Sequence, residues 1–323
     1  MKLAFLLPIL IVLASLCACS PVRAAGASWW VQFPTEGEVV QRRADDAADL
    51  EVRVFDPEDR DFSASMDGGD PVPLKKGSDH VQRCALRNVP KGEHRLTVSG
   101  PDAVKVLDRV GVGDVHGAIG QSHTSGRNPI LSRSADGRTN DPTNLNEGAG
   151  GSWFPLLSDS LTQERGCPQK FVNMAWGGAP ADVFLPRIGV AGVHISAVNQ
   201  TFKREGVKYV MFLIGATNAM QKTPKDQYKA QVTEIVKWLQ GQGYTVLLAV
   251  MPNAENPLFT EHLPVIQQAT REMWEEIPGV YPGADLTRLP VPECLDPNDK
   301  VHLNAEGYRR AVDLWTEAYR SVP

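Results

Sequence analysis

The stretch "GVGDVHGAIGQSHTSG", residues 111–126, decides the fold. An apolar run ends abruptly in Gly120-Gln121-Ser122 and passes into small and polar residues. Glycine and serine build any strand-to-loop turn. A serine at that place has a second reading, because open α/β sheets gather their ligand-binding loops at the carboxyl ends of parallel strands. The residues on either side choose between the two.

Downstream, short apolar runs alternate with longer helical segments. "KFVNMAW" (170–176), "YVMFLIG" (209–215) and "TVLLAVMP" (245–252) are mostly apolar runs without a two-residue alternation, as strands buried on both faces require. Between the last two, "KDQYKAQVTEIVKWLQGQG" sets Tyr228, Val232, Ile235, Val236 and Leu239 on one helical face, with glycines at its end. That is a βαβ unit. With the strand before Ser122 and another over Val280 to Leu286, the pattern predicts a five-stranded, helix-covered sheet over residues 109–323. Residues 127–152 read as a long loop directly after Ser122. They carry Arg127, Asn128, Arg133, Arg138, Asn140 and Asn144 and few apolar side chains.

Upstream the period is two. "DLEVRVF" alternates Leu50, Val52 and Val54 with Glu51 and Arg53, and "HRLTVSG" alternates Leu96 and Val98 with Arg95 and Thr97. Turn signals such as "DPEDRD", "DGGDP" and "VPKGEH" separate these runs, so residues 29–108 are expected to form a small β-sandwich.

The first residues, "MKLAFLLPILIVLASLCACSPVRAAG", place one lysine before an apolar run and small residues after it. This is the layout of an export signal over residues 1–24. Two exits stay open: cleavage before Cys19, which would carry a lipid and anchor the chain to a membrane, or cleavage after Ala24. The protein is therefore expected outside the cytoplasm. A net charge of −5 without a basic block excludes an electrostatic footprint for nucleic acid. Cys84, Cys167 and Cys294 are an odd number and read as unpaired, mostly buried thiols. No histidine or cysteine cluster has metal-ligand spacing, so neither metal nor cofactor is expected.

A serine hydroxyl is a poor nucleophile at neutral pH. It needs a base, a group orienting that base, and donors for the developing oxyanion. "DPNDKVHLNAEGYRRAVDLW" puts Asp299 three residues before His302, and an i, i+3 turn can aim both side chains the same way. Asp296 competes with Asp299 for the acid role. "NMAWGGAPAD" offers backbone N–H groups at Gly177 and Gly178, and "LIGATNAM" offers the Asn218 amide. Read singly, each has an ordinary structural use: a turn serine, a glycine turn, a helix cap, a surface histidine. His116 reads as a core residue and Trp153 as the start of a helix.

Together, "GDVHGAIGQSHTSG", "AWGGAP", "IGATNA" and "DKVHLNAEGYRR" resemble, in order, the four sequence blocks of the SGNH (GDSL-like) hydrolases, most nearly the sialate O-acetylesterase branch of carbohydrate esterases. The resemblance spans roughly residues 108–320. It implies a flavodoxin-like three-layer α/β/α domain and ester hydrolysis through an acyl-enzyme, without a metal; taken with the export signal, the chain reads as an exported serine esterase that removes O-acetyl groups from a carbohydrate. It maps Ser122 to the nucleophile, Asp299 to the acid and His302 to the base. Gly178 and Asn218 map to the oxyanion hole beside the Ser122 N–H. Gln121, His123, Trp176 and Gly177 would border the substrate.

Two departures touch the substrate subfamily: His123 stands where that branch has Asn, and Gly-Ala-Thr-Asn stands for Gly-Glu-Ser-Asn. Three rival readings stay open. They are a non-catalytic surface carbohydrate-binding protein, a lipase or thioesterase of the same superfamily, and an acetyltransferase.

Overall fold

The computed structural model describes residues 29–127, 130–139, 143–144, 148–149, 151–186 and 190–322. The N-terminal apolar segment, Cys19 included, lies outside them, as do Asn128, Asn140 and the Asn144 side chain. In chain order the first strands are β1 (Trp30–Phe33), β2 (Val39–Gln41), β3 (Ala47–Phe55), β4 (Ser63–Met66) and β5 (Val72–Pro73). They are followed by β6 (Val81–Pro90), β7 (Gly92–Ser99) and β8 (Val104–Gly120). Helix α1 (Ser122–Ser125) is a single turn, after which β9 (Thr143–Asn144) and β10 (Gly148–Ala149) form a short hairpin. Then come α2 (Phe154–Arg165), β11 (Gln169–Asn173), α3 (Val190–Glu205), β12 (Tyr209–Leu213), α4 (Ala216–Met220) and α5 (Lys225–Gly241). The chain ends with β13 (Thr245–Val250), α6 (Pro257–Thr260), α7 (Leu263–Glu276), β14 (Tyr281–Asp285) and α8 (Ala305–Tyr319).

The chain divides into two compact units that interleave in sequence. The first holds residues 29–36, Glu51–Leu86 and Leu96–Leu107; the second holds Gly37–Leu50, Arg87–Arg95 and Asp108–Pro323. Period-two alternation locates the switch near 108. It gives no sign that residues 37–50 and 87–95 join the later part, because alternation reports a local face and not the partner that covers it.

In the first unit β1 runs antiparallel to β3, with Trp30 opposite Phe55 and Val31 opposite Val54, and β6 lies on the other side of β3. A second group of neighbours is β7-β4-β5, with Ala64 opposite Val98. The alternation is seen directly: Val52, Val54, Leu96 and Val98 are buried and the residues between them are not. The acidic "DPEDRD" segment is a charge-paired turn, where the buried Asp56 carboxylate accepts from the Arg60 guanidinium at 2.7 Å and from its backbone N–H at 2.7 Å.

In the second unit the strand order is β11-β8-β12-β13-β14, every pair parallel. Numbered by appearance this is 2-1-3-4-5, the flavodoxin-like doubly wound order, in which the connection reverses at the first strand. Right-handed crossovers then put α2 on one face of the sheet and α3, α5 and α7 on the other. The packing of α2 against α8, and of α5 against α7, fits that placement. The core between the layers is apolar, from Leu157, Trp153 and Trp315 on one side to Phe202, Ile235 and Ile266 on the other.

The early segments are built into this unit. β2 runs parallel to β8, Val39 beside Gly111 and Gln41 beside Gly113. The Gly37 N–H donates to the Arg109 carbonyl at 2.8 Å. Arg42 grips the fully buried Asp114 through Nε (2.9 Å) and a terminal nitrogen (3.1 Å), and Arg165 adds a third bond at 3.0 Å. From the loop after β8, Arg138 reaches back to the Gly37 carbonyl at 3.1 Å and to Glu93, so this side chain ties the unit together. His116 is buried and bonded to Gln169, and Trp153 lies wholly in the core against Tyr308 and Trp315. Cys84, Cys167 and Cys294 are free thiols.

Candidate active site

The site begins where β8 ends. Gly120 has φ +143°, and a Cβ there would lie 2.0 Å from the Leu213 carbonyl oxygen, so only glycine lets the first strand turn this close to β12. The next two residues open α1, and Ser122 is its first helical residue. The Ser122 N–H therefore has no acceptor within the helix. The turn stands at the reversal point of strand order, beside the ends of both β11 and β12.

Ser122 Oγ donates to His302 Nε2 at 2.7 Å, and His302 Nδ1 donates to Asp299 Oδ2 at 2.6 Å. The carboxylate accepts the Nδ1–H bond, which keeps the ring proton on Nδ1 and leaves Nε2 as an acceptor, the tautomer a base for a hydroxyl must have. The other oxygen of Asp299 accepts the backbone N–H groups of Val301 and His302, each at 2.9 Å. Burial works to raise the Asp299 pKa, but these bonds outweigh it and hold the carboxyl below the usual range. Asp296 is spent elsewhere: its Oδ1 closes a turn on the Asn298 N–H at 2.8 Å and side-chain amide at 2.9 Å. Of the two aspartates, Asp299 is the one on His302.

The oxyanion candidates sit on the neighbouring loops. Gly178 has φ +71°, which a side chain would strain, and its turn is drawn to the serine strand by the Trp176 N–H donating to the Gly120 carbonyl at 2.9 Å. Thr217 donates its hydroxyl to the Gly178 carbonyl at 3.0 Å. Asn218 Oδ1 accepts from the Ala181 N–H at 3.0 Å, and Nδ2 donates to Thr223 Oγ1 at 3.3 Å. Those bonds orient the amide and leave its second hydrogen available.

The four residues expected at the substrate border divide. Trp176 is 38% exposed, its ring braced edge-on by His194 at 4.9 Å, and Gly177 lies beside it in the same turn. Gln121 and His123 are buried instead. Gln121 Oε1 accepts from the N–H groups of Gly215 (3.2 Å) and Thr217 (3.4 Å), supplying α4 with a cap from the turn after β8. His123 Nε2 bonds the Val301 carbonyl at 3.0 Å.

Three supporting residues escaped the sequence reading. Thr217 is visible only as the neighbour of Asn218, and Thr223 has no local signal. "Asn256-Pro257" has the signature of a helix cap, and Asn256 does accept from the Leu258 N–H at 3.1 Å. Its Nδ2 makes a second bond, to the Asp299 carbonyl at 3.0 Å. Among the described residues no group of three or more His, Cys, Asp or Glu is placed to hold a metal ion.

Sheet order, the Ser122 turn and the terminal loop together make an α/β unit of flavodoxin-like topology. The structure is similar to that of a carbohydrate acetylesterase from Xanthomonas citri, with a TM-score of 0.57 and 18% identity over 89% of this chain and 73% of that one. It is also similar to a protein from Arabidopsis thaliana, with a TM-score of 0.51 and 15% identity over 65% of this chain and 98% of that one. At such identities the likeness is one of fold. The chain matches no protein-family model and no curated protein.

Proposed function

We propose that the chain is an exported serine esterase that removes O-acetyl groups from a carbohydrate. The observation that carries the reading is the pair of short bonds from Ser122 Oγ to His302 Nε2 and from His302 Nδ1 to Asp299. His302 takes the hydroxyl proton as Oγ attacks the ester carbonyl, and Asp299 stabilises the imidazolium. The oxyanion is met by the N–H groups of Ser122 and Gly178 and by Asn218 Nδ2. Collapse expels the sugar alcohol, which takes the proton from His302. A water then repeats the sequence on the acetyl-serine, with His302 as its base, and releases acetate.

Three features support the substrate class. The fold is like that of a carbohydrate acetylesterase, the half-exposed Trp176 ring offers a face for a sugar, and the loop after Ser122 is rich in polar side chains. One observation favours a longer acyl chain. Ile130, Leu131, Met220 and Leu258 are exposed on loops and short helices that follow β8, β12 and β13. Hydrolysis of p-nitrophenyl acetate by the purified full chain, lost in Ser122→Ala, tests the esterase reading; equal turnover by both proteins refutes it.

We also read the two strand groups of the first unit as the halves of a β-sandwich. Trp29 and Phe62, which precede β1 and β4, meet with ring centroids 4.8 Å apart. Export rests on the N-terminal apolar run, and fatty-acid labelling of the wild type and Cys19→Ser in a bacterial host distinguishes a lipid anchor from release after Ala24. Among the described residues no helix is long and apolar enough to cross a membrane.

A further inference from the structure

The base and its carboxylate lie on one loop, Asp299-Lys300-Val301-His302, and each of its four carbonyls is held. Asn256 Nδ2 donates to that of Asp299 at 3.0 Å, the Glu255 N–H to that of Lys300 at 2.9 Å, and the Asp296 N–H to that of His302 at 2.8 Å. These three donors come from the segments that follow β13 and β14. The fourth, on Val301, is His123 Nε2 at 3.0 Å, from the residue that follows the nucleophile. The His123 ring is 1% exposed and lies 5.0 Å from the His302 ring, centroid to centroid. Its Nδ1 has no partner among the described residues, so the bond to Val301 is the ring's one polar commitment.

We propose that His123 is a positioning residue that locks the nucleophile turn to the base loop. The inference rests on the serine-esterase reading. Ser122 and His123 are adjacent, as are Val301 and His302, so the His123 bond and the Ser122 bond span the same gap side by side. The first fixes the backbone separation across which the 2.7 Å proton-transfer contact is made. A displacement of about 1 Å at such a contact costs roughly 100-fold in rate.

A carbonyl only accepts, so Nε2 carries a proton, and the buried Nδ1 has no partner among the described residues to hold a second one. Burial first, and then the facing His302, hold the His123 pKa down to about 3, with Asp299 and Arg127 the other charged neighbours. His302 can therefore become an imidazolium without a second cation arising against it.

The test uses three variants of the full chain. His123→Phe keeps a ring and loses the donor, His123→Gln offers an N–H at nearly the same reach, and His123→Asn falls short of the carbonyl. On p-nitrophenyl acetate, Phe and Asn are expected to lower kcat about 10- to 100-fold with KM unchanged, and Gln to recover most of the loss. Proton NMR supplies a readout that needs no turnover. The His302 Nδ1–H resonance, far downfield in the wild type, is expected to broaden or move upfield in Phe and Asn and to persist in Gln.

If Phe does not fold, Asn carries the same expectations. Wild-type kcat with an unmoved resonance in Phe or Asn overturns the proposal, as does a rise in KM alone, which would make His123 a substrate contact. A wild type that hydrolyses no ester refutes the esterase reading, and the NMR comparison still decides whether His123 positions His302.

Discussion

Replacing Asp299 by asparagine changes one atom and reverses the protonation of the base. The carboxylate receives three hydrogens: two backbone N–H groups on Oδ1 and the imidazole Nδ1–H on Oδ2. An amide has one acceptor. If its oxygen keeps the backbone pair, its NH2 faces His302 Nδ1 across 2.6 Å; if it turns, its NH2 faces the backbone pair. The less costly arrangement moves the ring proton to Nε2. Ser122 then loses its acceptor while the fold keeps its contacts.

A wrong tautomer of this kind lowers kcat by about 10⁴-fold, or about 5.4 kcal/mol at 1.36 kcal/mol per tenfold. Steady-state hydrolysis of p-nitrophenyl acetate, with the melting temperature as a check on folding, measures it. Asp296→Asn is the control: its Oδ1 serves only Asn298, and kcat is expected within about threefold of wild type, as for a surface change away from the site. A folded Asp299→Asn enzyme retaining more than a tenth of wild-type activity would refute the reasoning.

Ser122→Ala and His302→Ala are each expected to lower kcat by roughly 10³-fold or more without a change in melting temperature, since such residues act as a unit. Asn218→Ala should cost about 10²-fold, the typical loss for an oxyanion donor. Across acetyl, butyryl and octanoyl p-nitrophenyl esters kcat/KM should fall steeply. Equal rates would favour a longer acyl chain, for which the exposed Ile130, Leu131, Met220 and Leu258 offer apolar surface, over acetyl as the acyl group transferred. Asp114→Asn should destabilise the protein by about 3–5 kcal/mol at neutral pH, the cost of breaking a buried pair, as read from urea melts. Burial pushes the Asp114 pKa up, but His116, Arg42 and Arg165 outweigh it and bring it down to about 2. A depressed carboxylate stabilises the fold above its unfolded value of about 3.9, and that stability is lost as pH falls towards the folded value. The variant should therefore lose less stability than the wild type between those two values, by the share that Asp114 contributes.

The sequence carries the juxtapositions that depend on local spacing. Asp299 and His302 meet because a three-residue step inside one turn aims both the same way, and Ser122 reaches them because a parallel order delivers both loops to one edge. Side-chain direction is another matter. Gln121 and His123 flank Ser122, and nothing in "GQSH" says that one turns to the Gly215 and Thr217 amides and the other to the Val301 carbonyl. Their partners lie about 90 and 180 residues away, a separation that periodicity does not encode. The same limit hid β2: three residues, Val39–Gln41, make too short a run to announce a parallel partner at Gly111–Gly113.

The interleaving of the two units reaches beyond one molecule, into how such a gene can change. Segments 37–50 and 87–95 belong with a unit whose bulk begins at 108, so no single recombination breakpoint lifts out either unit whole. A crossover at codon 108 would leave Asp114 without Arg42 and Arg138 without Glu93, burying an aspartate with part of its countercharge gone. For the same reason a fragment cloned as 109–323 lacks a strand and a half-buried arginine of the fold it is meant to contain.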